Sequence, residues 1–134
     1  MKGTTQNLLR QFTRRMRPLA MRSAGREGSA TSVVGHVGRR SGRAYQTPVT
    51  VARHEDSFLI ALPYGDRTDW LKNVLAAGSA TIVSDGHSYR VDRPEVIPMA
   101  EAIAYFRPRD QRMQRQFHVE TALQVHQREE DPRA

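Results

Sequence analysis

Three short runs of strand-forming residues, separated by short polar connections, constrain the fold of this chain most strongly. The runs span residues 31–37, 45–53 and 57–62, and such runs between turn residues predict strands. Connections this short favour antiparallel neighbours, because a parallel crossover needs roughly a dozen residues. The centre of the chain is therefore predicted to be an antiparallel sheet.

Two more strands are predicted at residues 80–84 and 88–91, on either side of Asp85-Gly86. An Asp-Gly pair is a strong hairpin signal, because such turns need residues that tolerate positive φ. Residues 95–97 are predicted to extend the same sheet.

Helical periodicity predicts three helices after the central strands. The first covers residues 68–77, is capped by Asp66, Thr68 or Asp69, ends at Gly78, and buries Trp70, Leu71, Val74 and Leu75. The second begins at Pro98, stops at Arg107-Pro108, and buries Met99, Ala102, Ile103 and Phe106. The third covers residues 110–126 through Met113, Phe117, Thr121 and Val125.

This order of elements predicts an α+β domain, a small antiparallel barrel flanked by helices. A parallel sheet is excluded because strands and helices do not alternate regularly. The length of 134 residues suits one domain, residues 1–134.

The two ends of the chain are predicted to lie outside the sheet. Residues 5–22 have the pattern of a basic amphipathic helix, which either packs across one mouth of the core or lies on a membrane surface. Residues 127–134 are predicted to be a disordered tail. With no apolar run of the ~18 residues that a span needs and no signal-peptide pattern, we expect a cytoplasmic protein, membrane-associated only through residues 5–22.

The net charge of +7 is concentrated near the beginning of the chain, where residues 1–53 contain a single acid, Glu27. Such local charge predicts an anionic ligand or surface. Nucleic acid is not expected, because no helix-turn-helix or RNA-binding aromatic pattern accompanies the charge. The turn Gly38-Arg39-Arg40-Ser41-Gly42-Arg43 is either an anion-binding turn or a solvated hairpin.

The chain lacks the side chains of self-sufficient catalysis. It has no cysteine, and its five histidines lack the spacing of metal ligands, so no metal site is expected. No Ser/His/Asp arrangement or paired carboxylates are evident. The chain is therefore either a binding module or an enzyme whose cofactor carries the reaction.

Three further segments are candidates for ligand contact. Thr47-Pro48 interrupts a predicted strand, which must then be an edge or bulged. Pro63-Tyr64-Gly65 leaves a strand and leads to a helix on which Trp70 and Asn73 share one side. Each segment also has a purely structural interpretation, as edge proline, loop or core.

The order and spacing of these segments over roughly residues 30–97 resemble the deazaflavin (coenzyme F420)-dependent nitroreductase family, in the flavin/deazaflavin oxidoreductase superfamily. The resemblance implies a split β-barrel that binds F420, a deazaflavin with a phosphate and an oligoglutamate tail. It also implies hydride transfer from reduced F420 to an unsaturated or electron-poor small-molecule acceptor, as in nitroreductases and quinone reductases.

The resemblance further implies roles for individual residues. The phosphate and tail would meet Arg39, Arg40, Ser41, Gly42 and Arg43, and the ring would lie beside Thr47, Pro48, Pro63, Tyr64 and Gly65. Trp70 and Asn73 match the family's W-x-x-N helix, with Asn73 close to the cofactor. Tyr64 and Tyr105 are the candidate catalytic proton donors.

Other functions remain open on the same fold. An FMN-binding oxidoreductase is one, and a non-catalytic carrier of a lipid or tetrapyrrole is another. The superfamily also suggests a homodimer.

Overall fold

The computed structural model describes residues 25–26 and 31–128 of the protein. Within them the strands are β1 (Ser32–Val37), β2 (Ala44–Val49), β3 (Val51–His54), β4 (Ser57–Ala61), β5 (Ser79–Ser84), β6 (His87–Pro98) and β7 (Thr121–Gln127). The helices are α1 (Asp69–Ala77), α2 (Met99–Ala102) and α3 (Pro108–Gln116), with a 3-10 turn at Ile103–Tyr105.

The strands form one antiparallel sheet in the order β2-β1-β5-β6-β7-β4-β3. Its two edge strands, β2 and β3, are separated in the chain only by Thr50. The sheet must therefore curl until its edges approach. The Ala61 N–H donates to the Thr50 carbonyl oxygen at 3.1 Å and extends the pairing of β3 with β4 to this connecting residue. This curled sheet with its helices confirms the predicted α+β split β-barrel.

Residues 45–53 do not form the single strand that their sequence predicts. The run divides at Thr50, and its two halves pair with different neighbours, β2 with β1 and β3 with β4. Pro48 lies in the edge strand β2, as predicted, because proline cannot donate to a strand on its far side. The break is hidden in the sequence because residues on both sides of Thr50 favour strands.

The predicted helix over residues 110–126 is wrong beyond Gln116. There α3 ends, and residues 121–127 form β7, which lies between β6 and β4. His118 has a φ of 53°, outside the helical region. The prediction failed because Thr121 and Val125 are four residues apart. That spacing places two residues on one face of a helix and equally on one face of a strand.

Two boundaries also differ from prediction. Residues 88–91 and 95–97 belong to one long strand, β6, which has a register shift between Asp92 and Glu95. Gln127 lies in β7 rather than in a disordered tail, and residues 129–134 lie outside the described part.

The main core lies between the inner face of the sheet and α1. Leu71 and Val74 of α1 are fully buried, as predicted, and belong to a cluster with Ile60, Ile82 and Leu123. Leu75 is instead 42% exposed, so the predicted stripe is too wide by one residue. A second cluster contains the predicted Met99, Ala102 and Phe106 and lies against β4 and β7.

The predicted amphipathic helix over residues 5–22 lies outside the described residues. Within the described part, no helix has the length and apolar character needed to cross a membrane.

Candidate functional site

The arginine-rich turn between β1 and β2 has a fixed backbone. The Gly38 N–H donates to the Arg43 carbonyl oxygen at 2.8 Å, and the Gly42 N–H donates to the Gly38 carbonyl oxygen at 2.9 Å. Gly42 has a φ of 70°, a conformation that favours glycine. A Cβ at Gly38 would lie 2.5 Å from the Ser41 hydroxyl oxygen and 3.0 Å from the Tyr45 ring, so a side chain there would displace the Ser41 hydroxyl.

Asn73 of α1 anchors this turn through Arg39. Its amide oxygen accepts from the Arg39 backbone N–H at 3.1 Å and from the Arg39 guanidinium at 2.8 Å. The same guanidinium forms an ion pair with Asp69 at 3.3 Å. Because Asp69 is 87% exposed, that ion pair adds little stability, and Asn73 is the main anchor.

Asn73 also determines which ring nitrogen of the buried His36 carries the proton. Since its oxygen accepts from Arg39, its amide nitrogen must donate to His36 Nδ1, at 3.1 Å. The proton of a neutral His36 is then on Nε2, which donates to the Thr47 hydroxyl oxygen at 3.1 Å. Burial lowers the pKa of His36 from 6.5 to about 4, so the ring is neutral at pH 7.

These residues line a groove of about 460 Å³, which we call the Arg cleft. Its lining consists of His36, Gly38, Arg39, Arg40, Ser41, Tyr45, Asp69 and Asn73. Arg40 and Arg43 are exposed, and among the described residues neither has an ion-pair partner. Two guanidinium groups of the turn are therefore available to an anion.

A larger cleft of about 600 Å³ lies next to the first, and we call it the apolar cleft. Its lining includes residues 47–50, residues 61–65, Trp70, Met113 and Phe117. Polar side chains also line it, namely Thr31, Thr47, Thr50, Tyr64, Thr68, Asp110 and Gln114. An apolar cavity of this size with a few polar groups is typical of a small-molecule site.

Thr47 connects the two clefts. Its side chain is hydrogen-bonded to His36 of the Arg cleft, and the residue lines the apolar cleft. A ligand with an anionic end and an aromatic end can therefore occupy both clefts at once.

The structure brings most of the predicted site residues together. Arg39, Arg40, Ser41 and Asn73 line the Arg cleft. Gly42 and Arg43 belong to the same turn as the arginines. The apolar cleft is lined by Thr47, Pro48, Pro63, Tyr64, Gly65 and Trp70. Tyr105 lines neither cleft; its ring lies 4.1 Å from the ring of His54. Its catalytic role stays a prediction.

Several lining residues were not identified from the sequence. His36 and Asp69 of the Arg cleft carry no motif. The sequence predicts Met113 and Phe117 as part of a buried helix stripe, but they are 48% and 65% exposed and line the apolar cleft. Gln114 belongs to no sequence motif and to no predicted apolar stripe.

Comparison with known proteins gives one family. The family model described as F420H(2)-dependent quinone reductase matches residues 8–129. A search of curated proteins gives no match.

Solved structures share the fold. An F420-H2 dependent reductase (FDR-A) is 10% identical, covers 72% of this chain and 94% of its own, and has a TM-score of 0.53. A putative 5-nitroimidazole antibiotic resistance protein from Bacteroides thetaiotaomicron is 14% identical, with 76% and 75% covered and a TM-score of 0.55. A FAD-binding protein from Mesorhizobium loti is 12% identical, with 85% and 91% covered and a TM-score of 0.51.

The family match extends over most of the chain, and it agrees with the curled sheet and the paired clefts. The protein therefore belongs to the F420H(2)-dependent quinone reductase family and is an F420-dependent oxidoreductase.

Proposed function

We propose that the protein transfers a hydride from reduced F420 to an electron-poor or unsaturated small molecule, of which a quinone is the foremost candidate, in the apolar cleft. The observation that carries this proposal is the junction of a basic cleft and an apolar cleft at Thr47. F420 has the matching chemistry, with a flat ring at one end and a phosphate and acidic tail at the other.

The residues of the Arg cleft fit the anionic end of F420. Arg40 and Arg43 offer guanidinium groups that hold phosphate and carboxylate in bidentate pairs. Arg39 has a different role in this proposal, because its guanidinium is already bound to Asn73 and Asp69. It shapes the turn, while its two neighbours bind the ligand.

The apolar cleft fits the ring and an acceptor. Pro48, Pro63 and Trp70 supply apolar surface that excludes water from the reacting groups. When bound, reduced F420 supplies the hydride, and the residues of the cleft hold the acceptor close to it. Met113 and Phe117 give the acceptor an exposed apolar face to stack against.

Of the two tyrosines predicted as proton donors, Tyr64 is the one in this cleft. Its side chain is 84% exposed, so its hydroxyl can exchange protons with water. We assign it the delivery of a proton to the reduced acceptor.

Titration of the purified protein with F420, followed by cofactor fluorescence, tests the proposal. We expect saturable binding at micromolar F420, and oxidation of reduced F420 when menadione or a nitroaromatic compound is added. Binding of FMN without binding of F420 would favour the flavin alternative. A tightly held lipid or tetrapyrrole with no reductase activity would favour the carrier.

A homodimer is part of the proposal. A structure described as a domain-swapped dimer is 9% identical to this chain, covers 72% of it and has a TM-score of 0.53. Light scattering of the full chain should give about twice the mass of 15.2 kDa, and a monomer at micromolar concentration contradicts this part.

Peripheral membrane contact through residues 5–22 stays a prediction. Flotation of the full chain with anionic vesicles should succeed, and replacement of Arg14 and Arg17 by glutamate should abolish it.

A further inference from the structure

Three polar side chains in the wall of the apolar cleft have buried atoms without a hydrogen-bond partner. These atoms are Thr68 Oγ1, Asp110 Oδ2 and both amide atoms of Gln114, and all three residues line the cleft. Buried polar groups are nearly always hydrogen-bonded, because leaving one unpaired destabilises the fold. Their concentration in one cleft indicates that a ligand completes them.

Gln114 is the most informative of the three. It is only 5% exposed, so its amide has little contact with bulk water. It lies on the face of α3 formed by residues 110, 113, 114 and 117, and every residue of that face lines the cleft. Met or Leu at this position would fill the same wall without an unpaired amide.

The two other groups give the same indication. Thr68 occupies the N-cap position of α1, yet its hydroxyl makes no cap hydrogen bond, although threonine there normally makes one. Asp110 Oδ2 has only an ion pair with Arg107, at 3.7 Å, which is too long for a hydrogen bond.

We propose that Gln114, with Thr68 and Asp110 beside it, binds the edge of a ring that carries an N–H next to a C=O. A primary amide donates from nitrogen and accepts at oxygen in one plane, so it pairs fully with such a lactam or cyclic-imide edge. A simple quinone offers acceptors alone and leaves the Gln114 oxygen unpaired.

This inference rests on the proposed function, which puts a ring in the apolar cleft. The pyrimidinedione ring of a deazaflavin has an N–H between two C=O groups, so the cofactor itself is one source of this edge. An acceptor with an N–H beside a carbonyl is the other source. The chemistry that Gln114 recognises is the same in both.

The test compares Gln114→Met with the wild type and with Gln116→Met. Methionine keeps the length of the side chain and removes both polar atoms, and Gln116 is an exposed residue at the end of the same helix. The ligands are F420, its deazaflavin core without phosphate and tail, and the same core methylated at the imide nitrogen. Dissociation constants come from fluorescence, and thermal unfolding is measured without ligand.

We expect Gln114→Met to weaken binding of F420 and of the core by about 30-fold, as two lost hydrogen bonds imply. Imide methylation should weaken binding to the wild type and leave binding to Gln114→Met unchanged. The Tm of ligand-free Gln114→Met should equal or exceed that of the wild type, because an unpaired buried amide is removed. Gln116→Met should behave as the wild type.

If the ring edge that Gln114 binds belongs to the acceptor and not to F420, the results differ. Gln114→Met then binds F420 as the wild type does, but it no longer prefers 2-amino-1,4-naphthoquinone to menadione in KM. Should Gln114→Met fail to fold, Gln114→Glu replaces it, because glutamate keeps the length and cannot donate as a carboxylate.

Failure of the wild type to bind F420 contradicts the proposed function. Equal binding of F420 and its core by the wild type and Gln114→Met, with an equal effect of imide methylation and an unchanged quinone preference, overturns the Gln114 inference alone.

Discussion

The two clefts differ in whether their buried polar groups have hydrogen-bond partners. In the Arg cleft, Asn73 joins Arg39 to His36, and His36 continues the chain of hydrogen bonds to Thr47. In the apolar cleft, Thr68, Asp110 and Gln114 have buried atoms without a hydrogen-bond partner. The buried polar groups of the Arg cleft are therefore paired within the folded chain, whereas those of the apolar cleft lack a partner within it.

The difference separates stability from binding. Residues that satisfy each other in the Arg cleft contribute to the free energy of unfolding, so their loss should affect the fold first. Residues that await a partner contribute little to the fold and act on affinity. Variants of residues that are paired within the chain and variants of residues that are not should therefore fall into different classes, and the following predictions test that division.

The largest effect is expected for Asn73→Leu. This change removes the acceptor of two Arg39 bonds and the donor to His36, and leaves these groups unpaired beside a buried side chain. We expect a loss of about 4 kcal/mol in the free energy of unfolding, measured by urea denaturation.

Two variants sharpen this result. Asn73→Asp retains an acceptor for Arg39 and should lose less, whereas Lys72→Ala on the exposed side of α1 should change stability by less than about 0.5 kcal/mol. A loss for Asn73→Leu no greater than that for Lys72→Ala would contradict the anchoring role.

The next effect is a pH dependence that arises from His36. Its pKa is about 4 in the folded protein because burial disfavours the charged ring, and about 6.5 when unfolded. The unfolded chain therefore binds a proton that the folded chain does not in this range. Stability should be complete above pH 6.5 and fall by about 3 kcal/mol as the pH drops to 4.

Urea denaturation at a series of pH values measures this effect. His36 contacts Asn73, Thr47 and the Tyr45 ring. The charged groups that line the same groove are Arg39, Arg40 and Asp69. His36→Gln should lose this part of the slope, while His54→Gln, at an exposed position on β3, should keep it. Equal slopes in His36→Gln and the wild type contradict the prediction.

Much of the fold follows from the sequence because local signals and the sheet agree. The strand-forming runs, the Asp85-Gly86 turn and Pro48 at an edge all point to an antiparallel sheet, and all occur in it. The errors lie where local signals are ambiguous. A spacing of four between Thr121 and Val125 fits helix and strand, and only pairing with β4 and β6 makes this segment a strand.

Some parts of the candidate site can also be predicted from the sequence, and others cannot. The arginine turn is visible in the sequence because charge, glycine and turn chemistry coincide in six neighbouring residues. Asn73 is predicted as a site residue, but its hydrogen bonds to the turn and to His36 are not visible in the sequence, because β1 and α1 meet only in the fold. Gln114 has no sequence signal at all, since its importance lies in a partner that the folded chain does not provide.

Phe117→Ala tests the apolar cleft, because it should change substrate binding and leave stability nearly unchanged. Phe117 is 65% exposed, so its removal should change the free energy of unfolding by less than about 0.5 kcal/mol. The lost stacking surface should raise the KM for menadione about 10-fold. Leu75→Ala is the matched control, because Leu75 is an exposed apolar residue that lines neither cleft. A similar KM for both variants contradicts the assignment of this face to the acceptor.

The smallest effect is expected for Arg40→Ala, an exposed residue whose guanidinium lacks a partner in the described part of the chain. We expect about 5-fold weaker binding of F420 at low salt, and a smaller difference as salt screens the charge. The deazaflavin core without phosphate and tail should bind the variant and the wild type equally. Arg109→Ala, which removes the same charge from α3, should leave both ligands unaffected. Equal weakening of F420 and the core by Arg40→Ala would assign Arg40 to the ring instead of the tail and contradict its proposed role.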